Sequence, residues 1–410
     1  MKKESKDLIV GLDIGTSKVV AMVAELLSDG RFEVIGIAQH ESKGLKKGVV
    51  VNIEATVKSI QAVLEEAELM ADCKIRTVYT GIAGNHIRSF NSSGMVAIKD
   101  REVSPADVAR VIETAKAVNI PTDQQILHVL PQEFIVDGQE DVREPLGMSG
   151  VRLETRVHIV TGAVSAAQNI VKCVRRCGLE VDDLMLQPLA SSMAVLTEDE
   201  KELGVALIDI GGGTADIAVF HGGAIRHTAV LPIAGDQITN DIAMALRTPT
   251  PDAEEIKIRH GVAKQLLADP HAKIEVPGIG EREPRTLSKQ NLAAVIEPRL
   301  EELFIEAQRI LRESGYEELL SSGIVLTGGT ALMPGVAELG EDVFLKPVRI
   351  GLPDYQGGLS DMVRSPRLAT TVGLLMEGTA QQVRGRKVAS QTGGMTQTLQ
   401  KMKEWFLGNF

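Results

Sequence analysis

Residues 204–235, GVALIDIGGGTADIAVFHGGAIRHTAVLPIAG, and residues 8–38, LIVGLDIGTSKVVAMVAELLSDGRFEVIGIA, are one pattern written twice. Each opens with an apolar, β-branched run that ends on an aspartate and a glycine-containing turn. A second run, a turn (Asp29-Gly30 in one copy, Gly222-Gly223 in the other) and a third run follow. Runs of this kind, punctuated by glycine, read as strands joined by tight turns. A helical segment comes after each copy, residues 52–71 after the first and 236–246 after the second. One supersecondary unit repeated in this way predicts a duplicated α/β fold with a cleft between its halves. Asp13-Ile14-Gly15 matches Asp209-Ile210-Gly211, so the repeat sets two carboxylates against each other across that cleft.

Glycine lets backbone N–H groups approach a phosphate closely and adopts the positive φ that such turns require. The turns offer Gly15, Thr16, Ser17 and Lys18 on one side and Gly211, Gly212, Gly213 and Thr214 on the other. Two aspartates cannot bind phosphate directly, because like charges repel. Asp13 and Asp209 make sense as outer ligands of a Mg²⁺ ion that the phosphates share, with Lys18 as a point charge on the phosphates. Neither G-x-x-x-x-G-K-[ST] nor G-x-G-x-x-G occurs at these turns, so a P-loop and a Rossmann fingerprint are excluded there. A third glycine-rich turn, LTGGT at 326–330, brings Gly328, Gly329 and Thr330.

Between the copies, Ser104-Pro105 starts a helix expected to reach about Val118, flanked by strands; residues of roughly 85–160 read as an inserted α/β subdomain. A second insertion follows Gly235. Residues 251–267 look helical, 276–286 are rich in Pro and Gly, and a long helix is expected from about Lys289 to Glu313, interrupted or restarted near Pro298. Residues 383–394, VRGRKVASQTGG, read as a flexible linker.

With 410 residues, 44% apolar and 24% charged, the chain is an ordinary globular protein of two or more domains. A net charge of −11 argues against nucleic acid as the main partner. Three cysteines are too few for a disulfide framework and fit a reducing cytosol. No apolar stretch approaches eighteen residues and the start lacks a signal-peptide core, so the chain is expected neither to span a membrane nor to be secreted. Its tail departs from the acidic body. Met395, Leu399, Met402, Trp405, Phe406 and Phe410 share one helical face, flanked by Lys401 and Lys403. That face either docks on the chain's own domain or lies in an anionic membrane interface.

The paired Asp-x-Gly hairpins and GIVLTGGTALMPGVAEL (323–339) resemble the actin-like ATPase superfamily, built on a duplicated ribonuclease-H-like fold. Segments such as REPLGMSGVRLETRVHIVTG (143–162), VLPQEF (129–134) and LAAVIEPR (292–299) resemble the FtsA family of bacterial cell-division proteins over nearly the full length. That resemblance implies a lobe I core at 1–84 and 161–203 interrupted by an IC subdomain at 85–160. It implies a lobe II core at 204–235 and 301–368 with a IIB subdomain at 236–300. A connecting helix at 369–382, a linker at 383–394 and an amphipathic membrane-targeting helix at 395–410 complete it. The implied cofactors are ATP and Mg²⁺. Glu254 and Lys257 match the family's ribose and adenine contacts, and Gln187 matches the glutamine that orients water in actin, with hydrolysis slow at most. The implied partners are the C-terminal peptide of FtsZ, for which Arg285, Lys289 and Arg299 are candidate contacts, other copies of the chain in a filament, anionic inner-membrane lipid and further divisome proteins. The alternatives are an FtsA-like type IV pilus assembly ATPase and a sugar-kinase-like phosphotransferase.

Overall fold

A computed structural model describes residues 7–280 and 282–391, with side chains to residue 385. Among these residues the first repeat forms strands β1 (Leu8–Ile14), β2 (Lys18–Leu26) and β3 (Phe32–Glu41). A two-residue hairpin, β4 (Leu45–Lys46) with β5 (Val49–Val50), leads into helix α1 (Ile53–Ala71) and strand β6 (Thr77–Ile82). The Asn52 side chain caps α1 by accepting from the Ala55 N–H, and Asp72 ends it in the left-handed region.

The chain then leaves lobe I. Strand β7 (Arg88–Ala97), helix α2 (Pro105–Lys116), and strands β8 (Gln124–Val136), β9 (Gln139–Val142) and β10 (Arg152–Ala163) form a separate sheet of order β7-β10-β8-β9 with its own core. Ser104 and Asp107 close a capping box at the head of α2. Helix α3 (Val164–Arg176), strand β11 (Glu180–Leu186) and helix α4 (Gln187–Val195) return to lobe I, and the short α5 (Glu198–Leu203) leads out of it.

The second repeat forms β12 (Val205–Ile210), β13 (Ala215–His221) and β14 (Ala224–Leu231). Helices α6 (Gly235–Leu246) and α7 (Thr250–His260), the hairpin β15 (Lys273–Val276) with β16 (Arg285–Ser288), and α8 (Lys289–Glu313) follow. Strand β17 (Ile324–Thr327), helix α9 (Val336–Phe344), strand β18 (Val348–Ile350) and helices α10 (Ser360–Val363) and α11 (Ala369–Gln391) finish the described chain.

The two large sheets share one topology. Lobe I has order β3-β2-β1-β6-β11 and lobe II has β14-β13-β12-β17-β18. In each, the three repeat strands are antiparallel and the next two add in parallel. The insertions differ: lobe I is interrupted after its fourth strand and lobe II after its third. The lobe I insertion docks on β14 through buried polar groups. The His158 ring meets Thr228 Oγ1 at 3.0 Å, held from behind by Asn91 Oδ1 of its own sheet at 2.7 Å, and Gln132 donates to the Ile225 carbonyl at 2.9 Å. Burial pushes the His158 imidazole down to about 3, so it stays neutral in that contact.

Three local expectations are corrected. Helix α8 runs unbroken through Pro298, because Leu292, Ile296, Leu300, Leu303, Phe304, Ala307 and Leu311 all bury on the lobe II core. That burial outweighs a proline cost of about 3 kcal/mol. Helix α7 stops at His260 instead of reaching residue 267: at Gly261 the chain turns extended, and only a 3₁₀ turn at Gln265–Leu267 follows. The linker expected at 383–394 is helical through Gln391. Val383 packs on the lobe I core, and Arg384 donates to the Ala380 carbonyl, so one glycine in this stretch does not break a helix already anchored by packing. The tail residues Leu399, Lys401, Met402, Lys403, Trp405, Phe406 and Phe410 lie outside the described residues.

Candidate functional site

The two repeat turns close identically: the Gly15 N–H donates to the Lys18 carbonyl at 3.0 Å, and the Gly211 N–H donates to the Thr214 carbonyl at 3.0 Å. Their tips meet. A Cβ on Gly212 would stand 2.8 Å from Ser17 Cβ, and one on Gly213 would stand 2.6 Å from Thr16 Oγ1. Glycine is therefore required at both positions by contact between hairpins. Thr16 Oγ1 also accepts from the Gly48 N–H at 3.0 Å, which ties the β4–β5 hairpin to the floor of the cleft.

A cleft opens above these tips, lined by Asp13, Gly15 to Lys18, Gln187, Asp209, Gly211 to Thr214, Gly328 and Gly329. The sequence-derived residues at 13–18, 187, 209–214 and 328–329 thus converge. Thr330 donates to the Gly211 carbonyl at 3.3 Å from just behind the wall. Gly328 has φ of +87°, and a Cβ there would lie 2.5 Å from Asp209 Oδ1, so the third turn presses its backbone onto the second carboxylate. Glu254 and Lys257 stand beside this end without lining the cavity. They pair at 2.7 Å, and Lys257 also donates to the Gly235 carbonyl at 3.0 Å, next to Thr330 and Gly211.

The cleft's negative charge is concentrated in three aspartates, Asp13 and Asp216 buried and Asp209 half-buried. Asp13 accepts from Gln187 Nε2 at 2.9 Å, and Asp209 accepts from Ser191 Oγ at 2.5 Å. Asp216, which pairs in register with Asp209, accepts from Thr214 Oγ1 at 3.0 Å through one oxygen. Its other oxygen is buried with no hydrogen-bond partner among the described residues. Burial pushes the Asp13 carboxyl up to about 6, Lys18 pulling against it, and pushes the Asp216 carboxyl up to about 8 with Asp209 adding to the effect. Burial also raises Asp209, opposed by the Ser191 hydrogen bond, and lowers the Lys18 ammonium to about 8. Lys18 donates to the Arg367 carbonyl.

The sequence reading missed Asp216, Ser191, Thr370 and Arg367. Strand register gives the signal for Asp216, since an antiparallel pair closed by a four-residue turn sets residue 216 opposite 209. Ser191, Thr370 and Arg367 enter from distant segments and carry no local signal. Of the three basic candidates at a distance from the cleft, Arg299 makes a bidentate pair with Asp241 at 2.6 and 3.1 Å and also meets Glu302, which braces α8 on α6. Arg285 donates to the Leu246 carbonyl, and Lys289 is half-buried at the head of α8.

These shifts fix a pH dependence. A carboxyl raised on folding lends stability that is complete below its unfolded value and is lost as pH rises through its folded value. For Asp216 that window runs from about 3.8 to about 8. The nucleotide-free variant Asp216→Asn escapes the loss, so its melting temperature is expected to rise above the parent's by a few degrees, the gap widening with pH across this window. The buried histidines, whose shifts run the other way, cancel in the comparison. Calorimetric scans at a series of pH values measure it, and a gap that does not change with pH contradicts the assignment.

Comparison with known proteins places this geometry. A family model described as "Cell division protein FtsA" matches residues 206–373, and one described as "SHS2 domain inserted in FTSA" matches 84–161. The cell division protein FtsA of Pseudomonas aeruginosa is 60% identical over 413 residues, 99% of each chain. That of Neisseria meningitidis is 53% identical, covering 97% of this chain and 98% of its own. Among solved structures, the PilM-PilN type IV pilus biogenesis complex aligns with a TM-score of 0.66 at 19% identity, over 90% of this chain and 98% of that one. Spiroplasma citri MreB5 bound to ADP gives 0.54 at 15% identity, over 95% and 100%. The MamK double helical filament gives 0.53 at 13%, over 90% and 98%. These three likenesses establish the actin-like fold.

Proposed function

The chain belongs to the FtsA family of cell-division proteins, and from that premise we propose that it is an ATP-binding, self-assembling tether. It links FtsZ filaments to the cytoplasmic face of the inner membrane and helps recruit the divisome. The observation that carries the nucleotide reading is the meeting of two glycine-containing hairpins beside three carboxylates, one of which has an orphaned oxygen. Carboxylates that burial makes costly to ionise alone, one of them with an unpartnered oxygen, beside glycine turns that bring backbone close, suit a hydrated cation that accompanies phosphates.

Among the described residues no group of three or more His, Cys, Asp or Glu is close enough to hold a metal directly. Contact through water fits that spacing, and Mg²⁺ gives up its water reluctantly. Asp13, Asp209 and Asp216 are the residues to hold it, and when bound the ion neutralises phosphate charge. The turn N–H groups beyond Gly15 and Gly211, whose own N–H groups close the hairpins, cradle the phosphates, Lys18 supplies a point charge, and Glu254 and Lys257 take the ribose and base beside Gly328 to Thr330. Gln187 donates to Asp13 in the present arrangement, and it must exchange that partner before it can orient water.

The remaining parts rest on sequence and kinship. The terminal face of Leu399, Met402, Trp405, Phe406 and Phe410 with Lys401 and Lys403 enters anionic lipid. Among the described residues no helix is long and apolar enough to cross a membrane. The IIB subdomain receives the FtsZ peptide, with Arg285 and Lys289 as contacts and Arg299 committed first to Asp241. Assembly into filaments makes each later membrane insertion effectively intramolecular and raises avidity. Electron microscopy of the full chain on anionic lipid monolayers tests the proposal: ordered filaments are expected with Mg-ATP. Isolated particles with and without nucleotide would count against it.

A further inference from the structure

Helix α4 carries Gln187 and Ser191 one turn apart, on one face, and this face grips one carboxylate from each lobe. Gln187 holds Asp13 of the first hairpin, and Ser191 Oγ donates to Asp209 Oδ2 of the second at 2.5 Å. Thr370, in the first turn of α11, lies 3.0 Å from Ser191 Oγ and 3.3 Å from the same Asp209 oxygen. Both hydroxyl residues are buried, Ser191 completely. Two hydroxyls hold two protons. The shorter distances describe a relay in which Thr370 supports Ser191 and Ser191 holds Asp209, each bond polarising the next.

We infer that Ser191 and Thr370 are positioning residues: by occupying Asp209 Oδ2 they fix the carboxylate so that Oδ1, on the Gly328 side, is presented to the cation that accompanies the nucleotide. The inference rests on the nucleotide reading above and assigns the side chains that aim its second carboxylate. A free aspartate samples several rotamers, and a carboxylate gripped through one oxygen offers the other in a single direction. Because the grips come from α4 and α11, which pack on lobe I, onto a carboxylate of lobe II, rotating one lobe against the other swings Asp209 away from them and from Asp13. The divalent ion is then bound well only when both helices are seated.

The test is ATP binding by the full chain across a series of Mg²⁺ concentrations and, separately, in chelator. Ser191→Ala is expected to raise the half-saturating Mg²⁺ concentration about tenfold, and Thr370→Val about threefold, since a bond to a charged acceptor outweighs its support. Thr370→Ser, which keeps the hydroxyl, is expected to match the parent. ATP affinity in chelator stays at the parent value in all three. The inference is overturned if Ser191→Ala and Thr370→Val both leave the Mg²⁺ midpoint in place, or if they weaken ATP equally with and without Mg²⁺, as a merely structural defect does. Should Ser191→Ala not fold, the comparison of Thr370→Val with Thr370→Ser decides alone. Asp209→Ala separates the two levels: if it leaves Mg²⁺-dependent binding intact, the nucleotide reading fails, and if it removes binding while the hydroxyl variants are silent, only the positioning assignment falls.

Discussion

Asp209→Ala is expected to weaken Mg-ATP binding by about 100-fold or more while leaving the protein folded. Asp209 lies where the second hairpin, the third glycine-rich turn and helices α4 and α11 meet, and it is held there through Ser191 and Thr370. Truncating one partner of a desolvated, charge-assisted contact costs about 2–5 kcal/mol, which is the source of that factor. Loss of fold is not expected, for a reason visible in the site. Burial penalises this carboxyl in the nucleotide-free protein, so a neutral alanine removes an unfavourable charge even as it leaves a small void. Ser191 and Thr370 retain each other as partners at 3.0 Å. A nucleotide-free melting temperature within a few degrees of the parent, with calorimetric ATP binding lost, is the expected pair of results. Retained affinity would remove Asp209 from the cation site.

The second large effect concerns lipid. Trp405→Glu is expected to lower binding to anionic vesicles tenfold or more. The substitution removes a large apolar group, worth about 1.5–3 kcal/mol on burial. It also sets an anion against a surface to which each lysine contributes roughly 1 kcal/mol. A single sixteen-residue amphipathic helix is marginal in water, so its margin for such a loss is small. Co-sedimentation with anionic liposomes measures it, and Trp405→Phe serves as the control that keeps the apolar surface. If the glutamate variant sediments with the parent, the terminal face docks on protein and the membrane reading falls.

What the sequence disclosed, and what it withheld, follows from the range of the interactions involved. The hairpins at 8–38 and 204–235 were legible because alternation, β-branching and glycine are local properties of a few neighbouring residues. Their strand order was not, because the parallel additions of β6, β11, β17 and β18 depend on crossovers of twenty residues or more. Local rules also failed where packing overrode them. Pro298 predicts a break, yet seven buried side chains keep α8 whole, and the Gly-containing run after Gln382 stays helical through anchoring by Val383.

The site divides in the same way. Aspartate, glycine and hydroxyl positions in the turns were readable, since a turn that cradles phosphate needs those residues in that order. Ser191 and Thr370 reach Asp209 across 18 and 161 residues of chain, and nothing in their own neighbourhoods marks them. Arg299 illustrates the converse. An arginine in an acidic protein looks available to a partner until the fold brings Asp241 against it.

Hydrogen exchange of the full chain with and without Mg-ATP tests most directly whether both hairpins clasp one nucleotide. Residues 13–18 and 209–216 lie in separate lobes, 190 and more positions apart, and meet only at the cleft, where their tips touch. The account predicts that both segments gain protection together and at the same ATP concentration, and that chelating Mg²⁺ reverses both. Protection confined to one hairpin, or to neither while ATP is bound, would contradict it.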